Sequence, residues 1–195
     1  MCCDGDMNGR IIIVSAPSGS GKSTIIHSLM ERGSIDMEFS VSATNRAPRG
    51  QEVDGRDYHF LTTEAFREAI ARNEFVEYEE VYPGRYYGTL RSEIEARCAA
   101  GHNVILDIDV KGGVNVKRIF GSRAISIFIM PPSVEELRRR LEGRATDSPE
   151  AIAERIGKAE YELTFAKDFD QVVINDNLVE AVDTTERIIT TFLAS

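Results

Sequence analysis

The chain has 195 residues, of which 42% are hydrophobic and 28% charged, a balance that suits one folded domain and argues against general disorder. Against 32 acidic side chains stand 23 basic ones, a net charge of −9. Phosphate backbones require a basic face, so nucleic acid is not an expected partner, and any anionic ligand must be held by a local cluster of Arg and Lys.

The longest apolar runs, at 11–14 and 124–130, fall far short of the ~20 residues that span a bilayer. Cys2, Cys3 and Cys98 make an odd count, which speaks against a disulfide scaffold. The expected setting is therefore the reduced cytoplasm, away from membranes. Residues 1–10 read as a frayed N-terminus.

Four segments read as strands buried on both faces: Ile11–Ala16, Asn103–Ile108, Ala124–Met130 and Val172–Asn175. They are β-branched and nearly continuous in hydrophobicity, the pattern of a parallel sheet. Lys22–Arg32 reads as the first helix, with Ile25, Ile26 and Leu29 on one face. Ser133 followed by Glu136 predicts a capped helix start with a reciprocal capping box. Ser148, Pro149 and Glu150 predict another start, of a helix reaching about Phe165. Glu142–Asp147 reads as the polar loop between these two helices, and Asn177 with Glu180 opens the last helix. Residues 43 to about 89 are richer in Gly, Arg, Tyr and Glu. Strand-like pieces at Tyr58–Leu61, Phe75–Val81 and Tyr86–Thr89 flank a helix at Thr63–Arg72, which predicts an inserted lobe with a small mixed or antiparallel sheet.

The first strand runs into Ala16, Pro17, Ser18, Gly19, Ser20, Gly21, Lys22, Ser23 and Thr24, then into the first helix. That strand–loop–helix context is the one a P-loop requires. Gly19 and Gly21 allow the backbone to turn its N–H groups inward around phosphate oxygens, assisted by the helix N-terminus. Lys22 would reach the β- and γ-phosphates, and the Ser23 hydroxyl would ligate Mg²⁺. The strict motif begins with Gly where this chain has Ala16, so the backbone there must avoid glycine-only angles. This stretch predicts binding of a nucleoside triphosphate and no more.

In the inserted lobe, Arg46 and Arg49 lie three residues apart in a segment that also carries Tyr58. Guanidinium forks with phenolic hydroxyls suit a phosphate dianion, because each Arg can donate two parallel hydrogen bonds. Asp107 and Asp109 end a strand and are expected to face one side, at the carboxyl edge where ligands of α/β sheets bind.

The P-loop, the S-x-x-x-R-x-P-R segment from Ser42, the E-V-D-G-x-D-Y-x-F run from Glu52, Y-Y-G-T from Tyr86, L-D-I-D from Leu106 and R-L-E-G-R from Arg140 together resemble the guanylate kinase family. They occur in order over about Ile11 to Asn175, and the likeness is to the bacterial-type, single-domain enzymes. The resemblance implies an α/β P-loop NTPase fold: a parallel central sheet flanked by helices, an inserted mixed-sheet GMP-binding lobe and a helical lid. On this chain the core would be 11–42 and 90–195, the lobe about 43–89 and the lid about 140–156. It implies ATP and Mg²⁺ as phosphoryl donor and cofactor, and phosphorylation of GMP, with dGMP beside it, to the diphosphate. Arg46, Arg49, Tyr58 and Tyr87 would hold the GMP phosphate; Ser42, Glu77 and Thr89 would read guanine, with Asp107 and Asp109 nearby on the base and ribose side. Arg140, Arg144 and Arg155 would be lid arginines acting with Lys22 and Arg49 on the migrating phosphoryl group, and Asn175 would contact adenine. A homodimer is left open.

The chemistry of Glu77 agrees with that assignment. A carboxylate offers two acceptors, and guanine presents N1–H and an exocyclic N–H side by side. Adenine would leave a buried carboxylate unpaired, at about 1–3 kcal/mol. Phosphoryl transfer to an anionic acceptor needs placement and positive charge rather than a general base, so His27, His59 and His102 have no expected catalytic role. Three departures from the family pattern stand out: Asn45 in place of Thr, Lys111 in place of Gln, and one extra residue before the tyrosine pair, for which the Pro83–Gly84 turn offers room.

Overall fold

The computed structural model describes residues 9–143 and 149–195. In chain order the elements are β1 (Ile11–Ser15), α1 (Lys22–Arg32), β2 (Met37–Phe39), β3 (Ala43–Thr44), β4 (His59–Phe60), α2 (Thr63–Ala71), β5 (Phe75–Tyr82), β6 (Arg85–Leu90), α3 (Arg91–Ala99), β7 (Asn103–Asp107), α4 (Val110–Phe120), β8 (Ala124–Met130), α5 (Val134–Glu142), α6 (Pro149–Leu163), β9 (Gln171–Ile174) and α7 (Leu178–Leu193). Short 3₁₀ turns at Gly121–Arg123 and Ala166–Asp168 precede β8 and β9.

Five strands form one parallel sheet in the order β2-β7-β1-β8-β9, which places β1 at its centre. Every residue of β1 is buried because helices cover both faces. Successive side chains alternate between the two covers. Ile12 and Val14 join Ile25, Ile26 and Leu29 of α1 and Val182 and Ile189 of α7. Ile11 and Ile13 join Ile94 and Cys98 of α3 and Val116 and Phe120 of α4. Full burial of each such side chain contributes about 1.5–3 kcal/mol, so β1 is firmly anchored. The phosphate loop, continuous with its carboxyl end, inherits that rigidity.

The second sheet draws all four strands from one continuous stretch between Ala43 and Leu90, in the order β4-β3-β6-β5. It is mixed: β3 pairs parallel with β4, and β6 pairs antiparallel with both β3 and β5. Its core is Ala43, Phe66, Ala69 and Phe75, with the Phe66 and Phe75 rings stacked at 4.3 Å. Gly84 turns the β5–β6 hairpin at φ 75°, and the pairing shifts register between Glu80 and Tyr82. That shift is a bulge beside the Pro83–Gly84 turn. Beyond it Tyr86 packs on Phe66 in the lobe core, while Tyr87 reaches the side of Arg46.

Several expectations need correction. Gly9 and Arg10 are not frayed: Gly9 N–H donates to the Cys98 carbonyl and Arg10 N–H to Asn103 Oδ1, at 3.1 and 3.0 Å. β9 is an edge strand, and only Val173 is buried; Ile174 is 59% exposed. β7 ends at Asp107, and Asp109 instead caps α4, its Oδ1 accepting the N–H groups of Lys111 and Gly112 at 2.7 and 3.0 Å. Ser133 caps α5 through the Glu136 N–H at 3.1 Å, but the Glu136 carboxylate turns to Arg139 and Arg140, so no reciprocal box forms. α5 includes Glu142, and α6 stops at Leu163. Ser148 and Arg144 lie outside the described residues. No helix among the described residues is long and apolar enough to cross a membrane.

Candidate active site

The loop between β1 and α1 lies at the carboxyl edge of the central strand. Gly19 and Gly21 take φ of 92° and 88°, a region other residues rarely adopt. Ala16 is not among the described non-glycine residues with positive φ, where Asn73 stands alone, so alanine fits its place in the motif. A Cβ on Gly19 would stand 3.0 Å from both Leu137 and Leu141 of α5, and one on Gly21 would stand 2.3 Å from Asn175 Nδ2. The loop is therefore held from outside by α5 and by the end of β9. Asn175 is 5% exposed and its amide donates to the Ser20 carbonyl at 2.8 Å.

Inside the loop is a cavity of about 360 Å³ bordered by Ala16–Gly19, Gly21–Thr24, Asp107–Asp109 and Glu162. Ser20 is fully buried and does not border this space. Lys22 Nζ pairs with the Asp107 carboxylate and approaches the Ile108 carbonyl at 3.4 Å. Ser15 Oγ donates to the Asp109 carbonyl at 3.1 Å, tying the end of β1 to the start of α4. The Ser23 hydroxyl is exposed at the head of α1 and borders the cavity.

Two larger spaces adjoin it. One of about 630 Å³ lies between the two sheets and is bordered by Ser42, Tyr58, Thr89 and Asp107. Another of about 590 Å³ lies between β5, α4 and α6 and is bordered by Glu77, Asp109, Lys111, Tyr161 and Glu162. Thr89 and Glu77 join these spaces, the Thr89 hydroxyl donating to Glu77 Oε1 at 2.5 Å. Burial pushes the Glu77 carboxyl up to about 7; Asp109 and Glu79 add to the rise, and the Thr89 hydroxyl opposes it. Gly112 makes the close approach feasible, since a Cβ there would lie 3.1 Å from Glu77 Cγ. A carboxylate so placed is half-buried and turns towards an open space with acceptor capacity beyond the Thr89 contact.

Arg46 is pinned. Its Nε donates to Tyr87 Oη at 3.2 Å, Nη1 to the Ala47 carbonyl at 3.0 Å and to Glu52 Oε2 at 2.6 Å, and Nη2 to Glu52 Oε1 at 2.7 Å. The rings of Tyr58 and Phe60 lie 4.8 and 5.7 Å from its guanidinium carbon. Arg46 and the Arg49 N–H hold the Glu52 carboxyl down at about 2. Arg49 itself is exposed beside this cluster.

Along α5, Arg138 and Arg139 face solvent, while Arg140 turns inward to Glu136 Oε1 at 2.9 Å and to the Asn175 carbonyl at 3.0 Å. Arg155 is half-buried on α6. The structure therefore gathers Ser42, Tyr58, Thr89 and Asp107 at one space, Glu77 and Asp109 at the next, and Arg46, Arg49 and Tyr87 on the lobe beside them. The Asn175 side chain lies against the phosphate loop, to which it donates one hydrogen bond.

Two carboxylates escaped the sequence reading. Glu52 completes Arg46, and Glu162 borders the phosphate cavity while only 7% exposed, with Oε2 lacking any hydrogen-bond partner. Burial raises the Glu162 carboxyl above its ordinary value. A signal for Glu162 existed: it stands two helical turns after Arg155, on the same face of α6.

Comparison with known proteins decides the family. The guanylate kinase family model matches residues 8–192. This chain belongs to the guanylate kinase family. It is 56% identical over 187 residues to the guanylate kinase of Bacteroides thetaiotaomicron, covering 96% of this chain and 91% of that protein. The guanylate kinase of Porphyromonas gingivalis is 52% identical, over 95% of this chain and 98% of that one. The crystal structure of guanylate kinase from Anaplasma phagocytophilum superposes with a TM-score of 0.71 at 31% identity, covering 97% of this chain and 89% of that chain. The family accounts for the P-loop fold and for the second, mixed sheet beside the parallel one.

Proposed function

We propose a division of labour for ATP-dependent phosphorylation of GMP, the activity of the family to which this chain belongs. The triphosphate of ATP enters the cavity bordered by Gly19–Thr24, and Lys22 leaves Asp107 for the β- and γ-phosphates. Ser23 and Asp107 both present oxygen to that cavity, a donor set that fits Mg²⁺, which keeps several of its own waters. Bound there, Mg²⁺ would neutralise charge on the triphosphate oxygens.

GMP spans the space between the two sheets and the one bordered by Glu77, which meet at Thr89. Guanine is read by Glu77, Ser42 and Thr89, with Asp107 and Asp109 on the base and ribose side. The phosphate is held by Arg46, Arg49, Tyr58 and Tyr87. The observation that supports this reading is the half-buried Glu77 carboxylate, oriented by Thr89 and bordering a space that reaches the phosphate cavity at Asp109 and Glu162. Two adjacent donors on guanine satisfy it; adenine, uracil and thymine do not present that pair.

Chemistry then needs alignment and positive charge. Lys22, Arg49, Arg144 and Arg155 supply the charge, with Arg140 anchoring the end of α5. The lobe at 43–89 and the lid at 140–156 close when both nucleotides are bound and keep water from the γ-phosphate. The enzyme works in the cytoplasm, a setting consistent with its free, buried Cys98.

ADP formation measured with GMP, dGMP, AMP, UMP and dTMP in turn tests this reading. GMP is expected to support turnover, with dGMP next. A preference for AMP, UMP or dTMP would overturn the assignment of Glu77.

A further inference from the structure

Arg46 has five N–H groups and two edges that can grip an anion: the end edge of Nη1 and Nη2, and the side edge of Nε and Nη2. Glu52 fills the end edge, with contacts of 2.6 and 2.7 Å. The second N–H of Nη1 goes to the Ala47 carbonyl at 3.0 Å. Aromatic rings flank the guanidinium, whose side chain is 8% exposed. What remains is the side edge, where Nε meets the Tyr87 hydroxyl and Nη2, bonded to Glu52 alone among the described residues, has a second N–H to offer.

Glu52 is also built into the turn that carries Arg49. Its carboxylate accepts the Arg49 N–H at 2.7 Å, and its own N–H donates to the Arg49 carbonyl at 3.0 Å. A phosphate that displaced Glu52 from Arg46 would have to break up this turn as well. Bound at the side edge, it would leave the turn intact and meet the Tyr87 hydroxyl directly.

We propose that Glu52 is a positioning residue for the acceptor phosphate. It clamps the far end of Arg46 so that the Nε/Nη2 edge, beside Tyr87, is the one presented to the phosphate of GMP. The proposal rests on the assignment of Arg46, Arg49, Tyr58 and Tyr87 to that phosphate. It makes a prediction opposite in sign to simple electrostatics. Removing the negative charge of Glu52 would strengthen a seat governed by net charge, but it weakens one governed by the orientation of Arg46.

The test compares GMP with guanosine, which lacks the phosphate, by calorimetric titration of the full chain as wild type, Glu52→Gln and Glu52→Asp. Glu52→Gln is expected to weaken GMP binding about tenfold to a hundredfold, the worth of one charge-assisted contact, and to leave guanosine binding unchanged. Kinetically, the KM for GMP rises while the KM for ATP stays as in wild type. Equal or tighter GMP binding by Glu52→Gln overturns the proposal. If Glu52→Gln does not fold, Glu52→Asp carries the test. Its shorter carboxylate cannot keep both contacts, so a GMP-to-guanosine affinity ratio equal to wild type would overturn the proposal. Failure of the underlying assignment shows separately: wild type would then bind guanosine as tightly as GMP.

Discussion

The side-chain amide of Asn175 donates to the Ser20 carbonyl at 2.8 Å, joining positions 155 residues apart. The same residue accepts from Arg140 Nη2 through its own carbonyl at 3.0 Å, so α5, the end of β9 and the phosphate loop meet at one point. Asn175→Ala leaves the Ser20 carbonyl without this donor. The expected cost is about 1–3 kcal/mol of stability, read as a lower Tm, together with a higher KM for ATP. A side chain that served adenine alone would raise that KM and leave Tm where it was.

Lys22 is held ready for an anion by Asp107. Lys22→Ala removes a charge aimed at the transferring group, and kcat is expected to fall by on the order of 10²–10³ or more. GMP affinity, measured by titration without ATP, is expected to stay largely unchanged. A large loss there would show that the donor and acceptor seats are not separate.

Glu77 gives a pH dependence whose sign is fixed. Burial raises its carboxyl to about 7, and on the proposed reading guanine binds the ionised form. Guanosine affinity should therefore fall by up to about tenfold per pH unit as pH drops below 7, and level off above it. Guanosine serves better than GMP because it carries no phosphate to titrate in this range. Glu77→Gln should bind guanosine weakly and without this slope. The same group acts on stability in the opposite sense. Its folded value lies above the ordinary 4.5, so its contribution is fully present below that pH and is lost as pH rises through 7.

Adjacent glycines in α4 make a paired prediction. A Cβ at Gly113 would stand 2.7 Å from Ser15 Oγ and 3.0 Å from the Phe169 ring, inside a packed layer. Gly113→Ala should destabilise by about 1–3 kcal/mol in denaturant unfolding, despite the helix propensity of alanine. At Gly112 the neighbour is the Glu77 side chain at 3.1–3.2 Å, which can yield. Gly112→Ala should keep its stability and raise the KM for GMP.

The most legible parts of the sequence were those where one local rule acted alone. The run from Ile11 and the glycines of the phosphate loop announced β1, the loop and α1, because a strand covered on both faces leaves a continuous apolar signature. α4 was hidden by the glycines that make it useful: Gly112 and Gly113 read against a helix, yet Glu77, Ser15 and Phe169 need the space. α3 buries only Ile94 and Cys98, too few for a clear stripe. β3 has two residues and exists only because β4 and β6 pair with it. β9 looked like an interior strand because its apolar composition says nothing of its place at the sheet edge. In the site, arginines and the tyrosine pair could be read as anion ligands by type. Glu52 could not, since nothing in an acidic segment separates a structural carboxylate from a solvated one before its partner is known; Glu162 offers only its place on the Arg155 face of α6.

The four strands of the mixed sheet come from a single uninterrupted segment, and the core resumes at α3. Evolution, or an engineer, can therefore exchange that cassette between relatives by recombination at two junctions that leave β1, the following loop and α1 in place. The seam lies where Glu77 rests on Gly112, one residue from each side of the splice. A chimera that inherits a larger residue at position 112 would carry the right acceptor module on the wrong floor.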